Sequence, residues 1–333
     1  MTTPLVDRFG RQVQDLRVSV TDRCNFRCTY CMPREGMRWL PREEILTFEE
    51  IERLVHVFVE RFGITSVRIT GGEPTVRANL TELVRRLAAF PVELSMTTNG
   101  ATLGKLAWGL RKAGLHRVTV SCDSLRPETF AAITGQDMLD RVLEGIGAAL
   151  ESGLRPVKVN AVVVRGVNDD EIVDLARFGR ERGVEVRFIE FMPLDAAGQW
   201  SADRVVPSAE VLARIDEAYP MEPVQAAIDN GGGREPAERY RYLDGRGTVG
   251  VVASVTRPFC DSCDRVRLTA EGALRSCLFA VREADLRAVL RGGGSDDDLA
   301  ATITAEVALK WAGHSIGRVN FVRPDRSMSQ IGG

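Results

Sequence analysis

Six of the seven cysteines in this 333-residue chain form two sets of three, far apart in the sequence. Cys24, Cys28 and Cys31 stand in a C-x₃-C-x₂-C run, with Tyr30 just before the last. Cys260 and Cys263 form a C-x₂-C pair, completed by Cys277 after thirteen intervening residues. The count of three is informative, because structural zinc sites and ordinary iron–sulfur electron carriers close with four protein ligands. A cubane held by three thiolates leaves one iron free for something that is not protein. Two such sites suggest one open iron for a cofactor and one for a substrate. Zinc is the alternative at each set, but the only histidines, His56, His116 and His314, lie far in sequence from the first.

Basic residues accompany both sets. Arg265 and Arg267 alternate across Val266 in a β-like run directly after Cys263, so both fall on one face. Arg17 and Arg68 lie on two other expected strands and Lys158 on a third. Guanidinium forks suit phosphate oxygens, so these cations are expected to converge with the strand ends on one rim and bind a triphosphate beside an open iron.

The elements that must position these groups read as βα units. Strands are expected at Leu16–Val20, Val67–Thr70, Glu93–Thr97, Arg117–Ser121, Val157–Val163 and Val186–Phe191. Helical stretches lie between them at 48–62, 79–89, 105–113, 138–151 and 170–181, four of them followed by Gly63, Gly114, Gly153 or Gly183. The fold class is therefore α/β, a partial (β/α)6 TIM-type barrel over residues 1–193. A smaller annex at 194–333 carries the second cysteine set. Reactive groups gather at the C-terminal ends of barrel strands. The first cysteine set, Gly71-Gly72-Glu73-Pro74, Thr97-Thr98-Asn99-Gly100, Ser121-Cys122-Asp123-Ser124 and Met192-Pro193 each follow or end a strand. Cys122 is expected to be a small core residue. The loops 229–236 and 292–298 match no functional motif, though the aspartates of the second are placed to begin a helix over 299–310.

Composition narrows the class. Lys+Arg 44 against Asp+Glu 46 gives a net charge of -2, which argues against a nucleic-acid coat or a polybasic membrane anchor. The first residues lack a signal-peptide core, and no apolar run approaches a membrane span. Thiolates kept for metal require a reducing compartment, so the cytoplasm is the expected location.

The first cysteine run resembles the C-x₃-C-x-aromatic-C signature of the radical S-adenosylmethionine (SAM) superfamily. Together with Leu16–Asn25, Tyr30–Pro33, Ile69–Pro74, Thr97–Gly100, Phe191–Pro193, the second cysteine set and the Gly332-Gly333 tail, the chain resembles the GTP 3′,8-cyclase family of molybdenum cofactor biosynthesis. That resemblance implies two 4Fe–4S clusters, one on Cys24, Cys28 and Cys31 and one on Cys260, Cys263 and Cys277. It implies SAM contacts from Tyr30, Gly72, Ser121 and Met192. It further implies a GTP site lined by Arg17, Arg68, Thr97, Lys158, Arg265, Val266 and Arg267, with Arg17 also assisting catalysis and placed by the glycine tail. The implied chemistry is hydrogen abstraction from ribose C3′ by a deoxyadenosyl radical, followed by C3′–C8 bond formation. The implied partners are an electron donor, a downstream cyclic pyranopterin monophosphate synthase and a second copy of the chain. Two readings compete: a radical SAM enzyme acting on a peptide, and a non-catalytic metal-binding scaffold.

Overall fold

The fold is described from a computed structural model, for residues 2–35, 37–195, 198–224, 235–316, 321–324 and 326–332. Most of the 229–236 loop and the terminal Gly333 lie outside the described residues.

Six βα units form as the apolar periodicity requires. Strands β1 (Asp15–Ser19), β2 (Ser66–Thr70), β3 (Glu93–Thr98), β4 (Arg117–Ser121), β5 (Val157–Val163) and β6 (Glu185–Glu190) lie side by side in sequence order. They alternate with α1 (Phe48–Phe62), α2 (Leu80–Leu87), α3 (Leu103–Lys112), α4 (Pro127–Thr134), α5 (Leu139–Glu151) and α6 (Ile172–Arg182). Helix α7 (Ser208–Ala218) completes the sixth unit. Helix α1 shows the local logic. Thr47 and Glu50 form a reciprocal capping box at its start, Gly63 ends it with a left-handed φ of 68°, and Ile51, Leu54, Val55, Phe58 and Phe62 bury one face.

The C-terminal third adds strands β7 (Met221–Pro223), β8 (Glu238–Tyr242), β9 (Thr248–Val252), β10 (Arg265–Leu268), β11 (Ala273–Arg275) and β12 (Ala284–Asp285). All twelve strands join one open sheet in the order β12-β11-β10-β1-β2-β3-β4-β5-β6-β9-β8-β7. β10 pairs parallel with β1, and β9 pairs parallel with β6, so the annex extends both edges of the six-stranded array. Leu16, Val18, Val266 and Leu268, on the paired strands β1 and β10, are fully buried.

Helices α8 (Leu286–Arg291) and α9 (Asp296–Ala308) are the last α-helices among the described residues. α9 begins earlier than the sequence pattern suggested. Ser295 caps it, and Asp296, Asp297 and Asp298 form its first turn rather than a loop, which suits carboxylates beside the positive end of a helix. The Arg53–Asp296 ion pair, at 2.9 Å, ties α9 to α1.

Candidate active site

One cavity of about 670 Å³ runs through the open barrel and is lined by all six clustered cysteines. Strand alternation explains its lining. From β1 come Asp15 and Arg17; from β2 Ser66, Arg68 and Thr70; from β4 Arg117, Thr119 and Ser121; from β5 Lys158, Asn160 and Val162; from β6 Glu185, Arg187 and Ile189. Every second residue faces the cavity while its neighbours enter the core.

At the C-terminal ends of β1–β4 a set of hydrogen bonds fixes the first cysteine loop. Gly72 N–H donates to Thr21 O and Glu73 N–H to Arg23 O, both at 2.8 Å. A Cβ on Gly72 would sit 2.4 Å from Arg23 O, so this glycine is required by the close approach of the chain entering the cysteine loop. The buried Glu73 carboxylate accepts from Thr98 Oγ1 and Asn99 N at 2.6 Å and from Thr75 N at 3.0 Å. Asn99 Nδ2 in turn donates to Asn25 Oδ1 at 2.8 Å. Tyr30 donates its hydroxyl to Asp123 Oδ2 at 2.7 Å, and Val162 N–H donates to Asp123 Oδ1 at 2.8 Å. Burial still pushes the Asp123 carboxyl up to about 6.

The three thiols are unpaired by disulfides. Burial pushes Cys24 up to about 11 and raises Cys28 and Cys31 as well, with Glu73 adding at Cys24, and Asp123 and neighbouring thiolates adding at Cys28 and Cys31. As a bare trio they hold their protons; a cationic group bound among them removes that cost. Three soft donors on one cavity wall fit a polynuclear iron–sulfur group.

The barrel interior is cationic. Register places Arg17 between Arg68 on β2 and Arg267 on β10. The Nε atoms of Arg17, Arg68 and Arg265 are buried without a hydrogen-bond partner among the described residues. Arg265 has Asp264 only at 3.8 Å and lies over the Phe259 ring at 4.9 Å. Burial, and then the neighbouring arginines Arg267, Arg68 and Arg265, pull Arg17 well below the usual guanidinium range. Burial and Arg265 lower Arg267 to about 10. Buried like charges left unpaired are costly, so this row is built to receive an anion.

On the opposite wall Lys158 and Arg187 share the carboxylate of Glu235, Arg187 Nη2 at 2.5 Å. Burial and the adjacent Arg187 lower Lys158 to about 8, while Arg187 and Lys158, outweighing burial, hold Glu235 down at about 2. These cations occupy inward positions along the strands, not the C-terminal rim expected from the sequence. A side chain's facing is set by strand alternation, whereas only the motif loops emerge at the rim.

Around the second set, Cys260 begins a short 3₁₀ turn, Cys263 precedes β10 and Cys277 follows β11. Burial raises Cys260, partly offset by a hydrogen bond from the His314 main chain. Cys263 is lowered instead: Arg265 and Lys310 outweigh its burial. Arg11 Nη1 donates to Cys260 O at 2.6 Å and to Ala312 O at 2.9 Å, tying the N-terminal segment to this site.

Tyr30, Gly72, Ser121, Met192, Thr97, Lys158, Arg17, Arg68, Arg265 and Arg267 all line the cavity. Val266 is the exception among the expected site residues. Its side chain is fully buried on the other face of β10, opposite Leu16, leaving only its main chain to meet a ligand. The tail does reach the site. Gly332 O accepts from Arg267 Nη1, and Met328 and Ser329 line the cavity. Cys122 is buried among core residues, with its thiol 3.4 Å from Ser124 O. Arg117, Arg187, Glu235 and Lys310 were not anticipated. The first two were accessible by counting alternation along β4 and β6; the others depend on how the annex folds back.

Comparison with known proteins fits this geometry. Residues 18–179 match the Radical SAM superfamily and residues 184–316 match Molybdenum Cofactor Synthesis C. A protein of Mycobacterium bovis named GTP 3′,8-cyclase 2 is 49% identical, over 100% of this chain and 93% of its own. The Streptomyces coelicolor GTP 3′,8-cyclase is 48% identical, over 99% and 96%. The chain belongs to the GTP 3′,8-cyclase family. Among solved structures, Streptococcus suis SuiB bound to S-adenosylmethionine gives a TM-score of 0.59 at 16% identity, over 84% of this chain and 65% of its own. Native anSMEcpe with bound AdoMet gives 0.59 at 16%, over 88% and 80%. At such low identity these likenesses show the fold alone: this chain shares the fold of those two proteins.

Proposed function

We propose that the protein converts GTP to (8S)-3′,8-cyclo-7,8-dihydroguanosine 5′-triphosphate, using SAM and two 4Fe–4S clusters, as the first step of molybdenum cofactor biosynthesis. The observation that carries this reading is the row Arg68–Arg17–Arg267, with Arg265 alongside, facing one cavity that also holds both cysteine trios. A scaffold has no use for a row of buried guanidinium groups whose Nε atoms, at Arg17, Arg68 and Arg265, lack a partner among the described residues. A peptide-modifying enzyme has no need of so dense an anion site.

Cys24, Cys28 and Cys31 would hold the SAM cluster, and Cys260, Cys263 and Cys277 the one that meets the guanine edge. When bound, the first cluster supplies the electron that splits SAM and so initiates abstraction of the ribose C3′ hydrogen. The chain's own residues do the rest. Tyr30, Gly72, Ser121 and Met192 line the SAM end, and the Glu73 network keeps the cysteine loop in register with β3. Arg17, Arg68, Lys158, Arg265 and Arg267 neutralise the triphosphate and fix its orientation, with Thr97 and the Val266 main chain beside it. Arg17, next to Arg267 and hence to the Gly332 carbonyl, is placed to assist after the new bond forms. The partial barrel, extended on both edges, limits access of water to a reactive radical.

The finer partners follow from the same reading: a reductant, a cyclic pyranopterin monophosphate synthase that takes the product, and a second copy of the chain. A cytoplasmic setting follows from the same reading; no helix among the described residues is long and apolar enough to cross a membrane. The domain reading is a barrel of residues 1–193 and an annex of 194–333, although the helix of the sixth βα unit, α7, falls past residue 193.

The test is anaerobic. Protein reconstituted with iron and sulfide, reduced, and mixed with SAM and GTP should yield 5′-deoxyadenosine only when GTP is present, together with an isomer of GTP of unchanged mass. Deoxyadenosine without change to GTP would discard the substrate and keep the radical chemistry.

A further inference from the structure

Lys310 follows helix α9 and is 2% exposed. A lysine this deep ordinarily pairs with a carboxylate, because an isolated ammonium is costly to bury. Among the described residues no carboxylate lies within 4.0 Å of it. Its Nζ instead donates to Cys263 O at 3.0 Å and Arg265 O at 2.7 Å, and lies 3.6 Å from Cys263 Sγ. Among the described residues the Cys263 sulfur is the ionisable group in direct contact with it, and the Asp264 carboxylate acts on it only at longer range.

We propose that Lys310 is a positioning residue for the second cysteine site: its buried charge neutralises Cys263 and whatever cluster that thiolate carries, while its two carbonyl contacts lock the cysteine turn to the strand bearing Arg265 and Arg267. This rests on the reading of Cys260, Cys263 and Cys277 as cluster ligands. Two physical consequences follow. A cation against a cluster thiolate favours the reduced, more negative state, so it raises the cluster's reduction potential. The contact to Arg265 O also couples the cluster's position to that of the arginine row, so that guanine edge and triphosphate would be gripped in fixed relation.

The experiment uses the full-length chain with Cys24, Cys28 and Cys31 changed to Ser, so that only the second site loads. In that background Lys310→Gln retains an N–H donor without charge, Lys310→Met removes both, and Lys310→Arg retains charge. Iron content and the midpoint potential of the cluster, followed by electron paramagnetic resonance in a redox titration, are the readouts. The expected result is a more negative midpoint in both the Gln and Met variants, with the Arg variant close to the parent. Loss of the cluster in Gln and Met but not in Arg also supports the inference, because charge then decides retention. If Gln loads fully with the parent's potential, Lys310 is only a structural staple and the inference is overturned. The same holds if Arg loses the cluster along with the others. A parent background that binds no iron overturns the reading of the second set as well, which separates the two failures.

Discussion

Lys158 and Glu235 make the clearest pH-dependent pair in the site. Burial beside Arg187 leaves the Lys158 ammonium poised near 8, while Glu235, held near 2, stays ionised throughout the neutral and alkaline range. Raising the pH through 8 therefore removes a positive charge from the wall of the cavity and leaves the negative one in place. An anion binds the protonated form of Lys158 better, so binding takes up a proton and weakens as pH rises. We expect the affinity for sulfate, which does not itself titrate in this window, to fall severalfold between pH 7.5 and 9.5, about one unit either side of the lysine's value. Lys158→Arg, whose guanidinium remains charged, should flatten the profile. Calorimetric titration at several pH values checks this; a flat wild-type profile would remove Lys158 from the anion site. The same pair marks what a linear sequence conceals. Lys158 was legible as a strand cation, but its partner comes from the annex some seventy-seven residues away, and no local pattern points to it.

The elements that position the site were legible to different degrees, and the reason is physical. Helix α1 and strands β4 and β5 have the bounds that periodicity and β-branched content suggest, because local propensity and tertiary burial agree there. The short strands β11 and β12 and helix α4 escaped notice because segments so brief carry too few periods to show a pattern. The tail lies between these cases. Its glycines are conspicuous only at the level of motif, yet the structure gives Gly332 a steric reason. It has a left-handed φ of 70°, and an added Cβ would meet Thr70 Oγ1 at 2.8 Å and Ser19 Cβ at 3.4 Å. Gly332→Val should therefore dislodge the tail from between β1 and β2 and release Arg267 from the Gly332 carbonyl. Because Ile331, though buried, lies outside the barrel's apolar core cluster, iron content should hardly change and the thermal midpoint should fall only slightly. Turnover to the GTP isomer should fall by roughly tenfold to a hundredfold, the scale of a misplaced catalytic group. Turnover equal to wild type would show that the tail's seat is incidental to the chemistry.

At the scale of the molecule, the two cysteine sites share one cavity because the annex is woven into the barrel's sheet. β10 lies against β1 in parallel register, Asp15 opposite Arg265 and Arg17 opposite Arg267, so one row of the cation site straddles the two parts of the chain. β9 does the same against β6, and α9 docks on α1 through Arg53 and Asp296. Removal of residues 194–333 would leave β1 and β6 as bare edges, with unpaired N–H and C=O groups along strands whose apolar faces are already buried on one side. Such edges pair with other chains. Leu16 and Val18 would also lose Val266 and Leu268 as neighbours, and β6 would lose helix α7 from its own βα unit. We therefore expect the fragment 1–193 to aggregate or remain unfolded, and the fragment 194–333 to lack stable structure, since its strands β9 and β10 border on β6 and β1 and not on each other. The full chain should melt in a single transition. Size-exclusion chromatography and circular dichroism of the three proteins test this. A soluble, monomeric, helical 1–193 fragment would mean that the barrel is complete without the annex. The arginine row would then have been assembled by docking of two finished domains, and Arg17 and Arg267 would be expected to separate when that interface opens. If the fragments fail as expected, the two cluster sites and the anion site between them form in one folding event, and their spacing is set by strand register alone.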